Sequence, residues 1–330
     1  MDHLERRTET YSLNFSQIER LLRSIHQPGD LATCELIPSG KCNTNYLLRF
    51  KETVKPLVLR LYVRDPLACA LEWQLYHMLR NSIPMPEMHF ASFESSPQGF
   101  PPFSILSYVE GIPLGDYLSR APEDTELLAF EIGCILADIS KYKFHQAGFF
   151  TTDIQFIYPF TDVIDGYLTH LAQALFHGVA GEKLGDERVR RIWKLYEENT
   201  PLLETVRESA ELVHGDFGLW NILVKEEDGK AYVNAVLDWE FAHSGTCLLD
   251  IGHMLRYRRL LPGRFENRFI EGFTFSGGQL PEGWRRIASL LDLMCLCDML
   301  NTAKSFPAWD REMDDLIRAT LRDWEDGSLY

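Results

Sequence analysis

HGDFGLWNIL, residues 214–223, leads into NILVKEEDGKAYVNAVLDW, residues 221–239, and this continuous stretch is the most informative part of the 330-residue chain. Two apolar, strand-compatible runs flank EEDGK, and Asp228-Gly229 is a strong two-residue turn signal, so the segment is expected to fold as a hairpin. The turn lies about midway between Asn221 and Asp238, so closing the hairpin is expected to bring those side chains together at its open end. Asp216 precedes Asn221 by five residues. Two oxygen donors and a third polar group are thereby expected at one spot, a set suited to holding magnesium and addressing a hydroxyl.

Upstream of this stretch, residues 14–25 read as an accessory helix, with Phe15, Ile18, Leu21, Leu22 and Ile25 at helical spacing and Ser16 with Glu19 as a capping box. TCELIPSG, NYLLRF and PLVLRLYV follow, separated by turn-forming SGKCN and KETVKP, which predicts a small antiparallel sheet. Within LVLRLYV, Leu57, Leu59, Leu61 and Val63 share one face and leave Arg60 on the other with Val58 and Tyr62. Asp65 and Pro66 are an N-cap and N1 proline for a helix through about Arg80, with Glu72 near the edge of its apolar stripe. PFSILSYVEG reads as one more strand ending in a glycine turn. Beyond it the chain is mostly helical, with amphipathic segments at about 124–141, 161–178, 185–210, 249–260, 281–303 and 310–326. Strand signals interrupt this part once, between 221 and 240.

The length exceeds that of a usual single-core domain, and 45% apolar composition can fill two cores. Two lobes are expected, 1–110 and 111–330. Of the net charge of −15, residues 1–110 hold −1 and residues 111–330 hold −14. Such a field repels nucleic acid and anionic membrane and could attract a cationic small molecule, although ordinary solubilising charge is the simpler account. No uninterrupted apolar window of about 18 residues exists, so no membrane span is predicted. MDHLERRTET has no apolar core for a secretory signal, and the seven cysteines form no CxxC pair, which together favour a cytoplasmic setting. Cys295 and Cys297 read as buried thiols on an apolar helix rather than zinc ligands.

Phosphoryl transfer asks for magnesium on the phosphates, a cation beside them, and a carboxylate orienting the attacking hydroxyl. The chain has a candidate for each. Asp216 is assigned to the hydroxyl, Asn221 and Asp238 to magnesium, and Arg60, positioned by Glu72, to the α and β phosphates. The turn containing Ser39 and Gly40 is assigned to cover the nucleotide.

HGDFGLWNIL followed by VLDWEFA resembles the catalytic and metal-binding motifs of the aminoglycoside phosphotransferase family, kinase-like enzymes that phosphorylate small molecules. The order of elements is similar from about residue 33 to about 325: SGKCNTNY, LVLRLY, the helix with Glu72, SYVEG, the two motifs, and LLDIG. The resemblance implies an α+β, bilobal protein-kinase-like fold, with a small antiparallel-sheet N-lobe that binds nucleotide and a mainly helical C-lobe. It implies Asp216 as the catalytic-loop carboxylate, Asn221 and Asp238 as magnesium ligands, and ATP or GTP as donor. Backbone groups near Ser107 and Val109 are implied to meet the purine. Asp250 is implied to steady the catalytic loop, and His214 to brace it as a satisfied buried histidine. The DFG tripeptide at 216–218 is therefore not the metal-binding DFG of protein kinases, and Phe217 and Gly218 read as loop filler.

The chain departs from protein kinases at Arg60, where they have lysine; arginine's fork can reach carboxylate and phosphate together. Its nucleotide turn has one glycine, Gly40, and is neither GxGxxG nor a Walker A loop, so Lys41 reads as a solvated turn lysine. The resemblance implies that the helices of 150–210, together with 256–330, wall the acceptor site. Their aromatics and carboxylates suit an amino-bearing acceptor such as an aminoglycoside or amino alcohol, while Trp193, Trp284, Trp309 and Trp324 are read mainly as core. A metabolic kinase acting on choline, homoserine or a sugar-like compound is the alternative, and a non-catalytic nucleotide-binding module a weaker one.

Overall fold

The computed structural model describes residues 10–23, 31–38, 42–51, 55–95, 99–120, 125–152, 154 and 156–328. The chain divides into two compact units. One comprises Met1–Gly111, Thr151–Gln155 and Asn234–Glu240; the other comprises Ile112–Phe150, Phe156–Val233 and Phe241–Tyr330.

The first unit opens with α1 (Phe15–Leu22), whose Ile18, Leu21 and Leu22 are buried. Its capping box corrects the Ser16/Glu19 expectation. The Asn14 side chain accepts the Gln17 N–H at 2.9 Å and Gln17 Oε1 accepts the Asn14 N–H at 2.8 Å, because the helix begins two residues earlier than a Ser16 cap allows. Five antiparallel strands follow in the order β1-β2-β3-β5-β4: β1 (Leu31–Ile37), β2 (Thr44–Phe50), β3 (Leu57–Leu61), β4 (Met88–Ser92) and β5 (Phe103–Ser107). β4, MHFAS, is a strand the sequence did not announce, since it is short and follows two prolines. Leu48, Leu57, Leu59, Leu61 and Ile105 form one core with α1. The second face of the sheet is covered too, by α2 (Ala68–Leu79), where Tyr62 packs with Ala68 and Cys69. α2 starts two residues later than Pro66, and Asp65 caps the preceding turn by accepting the Leu67 N–H at 3.0 Å.

The second unit holds β6 (Ile112–Pro113), α3 (Leu114–Ser119), α4 (Glu126–Ser140), β7 (Gly148–Phe150) and β8 (Phe156–Pro159). Next come α5 (Val163–Ala172), which runs into a π-helical turn, then α6 (Val179–Leu184) and α7 (Asp186–Leu203). β9 (Glu211–Val213), β10 (Ile222–Glu227), β11 (Lys230–Val236) and β12 (His243–Gly245) precede α8 (Leu248–Leu255), α9 (Phe265–Phe275), α10 (Trp284–Leu300) and α11 (Pro307–Glu325). β10 and β11 form the hairpin expected around Asp228-Gly229, and the chain passes into the first unit after Val233 of β11. A further small sheet, β8-β7-β12-β9, corrects the expectation of a single strand interruption; these strands are too short to display an alternating pattern. α4 and α9 cross backbone to backbone. A Cβ on Gly133 would lie 2.0 Å from the Phe269 oxygen, and one on Gly272 would lie 1.9 Å from the Phe130 oxygen. Trp309 and Trp324 are buried, whereas Trp193 and Trp284 are half-buried.

Candidate functional site

In the second unit, β9 delivers the chain to His214, and the start of α8 supplies Asp250. Asp250 is fully buried; its Oδ2 accepts the His214 N–H at 2.7 Å and its Oδ1 accepts the Gly215 N–H at 3.0 Å. Burial pushes its carboxyl up to about 7, opposed by the N–H groups of His214, Gly215 and Phe217 and reinforced by the charge of Asp216. His214 Nδ1 accepts the Asp216 N–H at 3.2 Å, which places the ring proton on Nε2. Gly215 has φ +80°, and a Cβ there would lie 2.4 Å from the Phe241 oxygen, so only glycine fits. Phe217 is more than filler: its side chain is fully buried and anchors the loop beside the His214 ring, 6.0 Å between centroids.

Asn221 closes the loop just before β10. Its Nδ2 donates to the Asp216 main-chain oxygen at 2.9 Å and to Asp216 Oδ2 at 2.8 Å. With the amide nitrogen committed, Oδ1 is the atom a cation would take.

In the first unit, Arg60 is a buried cation between two carboxylates. Its Nη2 lies 3.1 Å from Glu72 Oε1, and its Nη1 pairs with Asp238, whose side chain is 40% exposed. Arg60 Nε and Glu72 Oε1 have no directed hydrogen bond among the described residues, so the Glu72 contact satisfies charge more than hydrogen-bond geometry. Burial raises the Glu72 carboxyl to about 7, against the pull of Arg60 and of the Tyr62 hydroxyl. Asp238 adopts φ +61°, one of three positive-φ non-glycine residues described. Asn43 Nδ2 donates to Glu240 Oε2 at 3.1 Å. Glu240, Tyr62 and Ser104 join this cluster without having been singled out by sequence; Tyr62's placement on Arg60's face was the one signal available.

The Ser107 N–H donates to the Glu87 oxygen at 2.8 Å and the Tyr108 N–H to the Pro56 oxygen at 3.0 Å, so both amides are committed within the sheet unit. The Val109 N–H has no partner among the described residues. Ser39, Gly40 and Lys41 lie outside the described residues. Among those described, no cluster of three or more His, Cys, Asp or Glu could hold a metal. Asn221 and Asp238, the residues expected to hold magnesium, belong to different units. A cavity of about 430 Å³ lined by Arg191, Lys194, Glu198, Arg286 and Trp324 contains none of these residues. No described helix is long and apolar enough to cross a membrane.

A search of curated proteins finds no match. Among solved structures, the GDP complex of wild-type aminoglycoside 2'-phosphotransferase-IIIa is 17% identical with a TM-score of 0.71, covering 94% of this chain and 99% of that one. A thermostable mutant of aminoglycoside phosphotransferase APH(4)-Ia, in ternary complex with AMP-PNP and hygromycin B, is 18% identical with a TM-score of 0.67, covering 92% and 98%. The microcompartment-associated aminopropanol kinase is 15% identical with a TM-score of 0.64, covering 96% and 99%. At such identities the likeness is one of fold, and the fold is the α+β, protein-kinase-like one. The model of the phosphotransferase enzyme family matches residues 33–290, most of the chain. The chain therefore belongs to the phosphotransferase enzyme family and is a phosphotransferase of the kinase type.

Proposed function

We propose that the enzyme transfers the γ-phosphoryl group of ATP or GTP to a hydroxyl of an amino-bearing small molecule. The observation that carries this reading is the Asp216–Asn221 pair, which fixes a carboxylate beside an amide oxygen suited to a cation. Asp216 orients the acceptor hydroxyl and takes its proton; Asn221 and Asp238 hold magnesium; Arg60, held by Glu72, meets the α and β phosphates. Bound magnesium would neutralise charge on the phosphate oxygens. Val109, two residues after Ser107, presents a backbone N–H to the purine, and Ser39 and Gly40, which lie outside the described residues, are assigned to the nucleotide. Asp250 and His214 hold the loop without touching substrate. The sheet unit is assigned to the nucleotide and the helical unit to the acceptor.

An acceptor of the aminoglycoside class is supported by the net charge of −14 on residues 111–330 and by the hygromycin B bound in one similar structure. A second reading, a metabolic kinase for an amino alcohol such as choline, or for homoserine or a sugar-like compound, is favoured by the similar aminopropanol kinase. Retention of Asp216, Asn221 and Asp238 together argues against a non-catalytic nucleotide-binding module. Its seven free cysteines support a cytoplasmic site of action, with neither nucleic acid nor membrane as partner. The test is magnesium-dependent consumption of ATP and GTP, screened over aminoglycosides, amino alcohols, amino acids and sugars, with Asp216→Ala as control. Consumption that depends on an acceptor and disappears in the variant supports the reading; no acceptor-dependent consumption overturns it.

A further inference from the structure

Tyr62 belongs to no motif, yet it is fully buried and its hydroxyl sits at the centre of the Arg60 cluster. It donates to Glu72 Oε2 at 2.6 Å. Since a carboxylate can only accept there, the Ser104 hydroxyl at 3.1 Å is the group that donates to the Tyr62 oxygen. Ser104 stands directly opposite Arg60 in the β3–β5 register, and the Tyr62 ring lies beneath the guanidinium, 5.3 Å from Cζ to centroid. The relay therefore runs from Ser104 to Tyr62 to Glu72 to Arg60, on three elements of one unit. The bond from Tyr62 is the only directed hydrogen bond that the Glu72 carboxylate accepts among the described residues.

We infer that Tyr62 is a positioning residue for Arg60, acting by fixing the rotation of the Glu72 carboxylate. Without that hydroxyl the carboxylate can turn, and Arg60, held on its other side by Asp238, loses the partner that aims it. A tyrosine that merely fills space would be replaced by phenylalanine at little cost; a tyrosine that orients Glu72 would not. The inference rests on the assignment of Arg60 to the nucleotide phosphates.

The experiment is calorimetric binding of magnesium AMP-PNP and magnesium GMP-PNP, alongside adenosine and guanosine, to the full chain. Tyr62→Phe is expected to weaken the triphosphate analogue about tenfold, the scale of a hydrogen bond to a charged group, and to leave the nucleoside within about twofold. The double variant Tyr62→Phe/Glu72→Gln is expected to bind no more weakly than Glu72→Gln alone, because the two act in series. Wild-type binding by Tyr62→Phe, equal weakening of nucleotide and nucleoside, or multiplied losses in the double variant would each overturn it. If Tyr62→Phe does not fold, Ser104→Ala tests the same relay: a loss of a few-fold confined to the triphosphate supports it, and unchanged affinity overturns it. Arg60→Ala separates the two levels. If it leaves triphosphate binding unchanged, the phosphate assignment itself fails; if it weakens binding while Tyr62→Phe does not, only the positioning role fails.

Discussion

Asn221 grips Asp216 twice, at its main-chain oxygen and at its carboxylate, so the loop between them is closed by one amide. Asp216→Ala should lower turnover about 10²- to 10⁴-fold, the range of a positioned acid or base, while sparing nucleotide affinity. Steady-state kinetics with the best acceptor and direct nucleotide binding check both halves.

Asp238→Ala should raise the magnesium concentration needed for half-maximal activity and weaken the magnesium nucleotide, and chelation of magnesium should abolish transfer by the unmodified enzyme. Magnesium titrations of both aspartate variants decide the assignment. If Asp216→Ala loses magnesium affinity and Asp238→Ala keeps it, the two roles are reversed.

His243 predicts a pH-dependent contribution to stability. Its Nδ1–H donates to the Phe241 oxygen at 3.0 Å, and its Nε2 therefore accepts the Tyr167 hydroxyl at 2.9 Å. Burial lowers its pKa to about 4, against the Phe241 bond that raises it. A histidine depressed in the folded state contributes stability that is present above its unfolded pKa, near 6.5, and lost as pH falls through its folded value. Between those limits the loss is about 3 kcal/mol. Denaturant unfolding of wild type and His243→Gln at pH 7, 5.5 and 4 should show the gap between them shrinking with acid; a constant gap would contradict it.

The α4–α9 crossing has no room for a methyl group. Gly133→Ala and Gly272→Ala should each destabilise the protein by about 2 kcal/mol or more, because backbone must move. Gly263→Ala, with nothing within 4 Å, should be close to neutral. Unfolding midpoints of the three variants compare them directly.

Much of the architecture was legible because its elements are long or strictly periodic. β2 and β3 are apolar runs bounded by turn signals, the hairpin has Asp228-Gly229, and α4, α7, α10 and α11 show helical spacing. β7, β9 and β12, three residues each, carry no period, whereas α9 has a stripe at four-residue spacing, Phe265, Phe269 and Phe273, that the sequence reading passed over. Within the candidate site, Asp216, Asn221 and Asp238 stood out by spacing along one chain segment. The pairing of Tyr62 with Ser104 depends on the register between β3 and β5, and the reach of Asp250 to His214 and Gly215 on tertiary contact. Local sequence encodes neither.

Asp238 has one more consequence. A β-carbon residue in the left-handed region is strained by about 1 kcal/mol or more, and glycine is not. Glycine would relieve that strain, but it would also take one of its two carboxylates from the buried Arg60 guanidinium. Aspartate at 238 therefore serves the fold as well as its proposed magnesium role, so a chain carrying glycine there should lose stability and turnover together rather than trade one for the other.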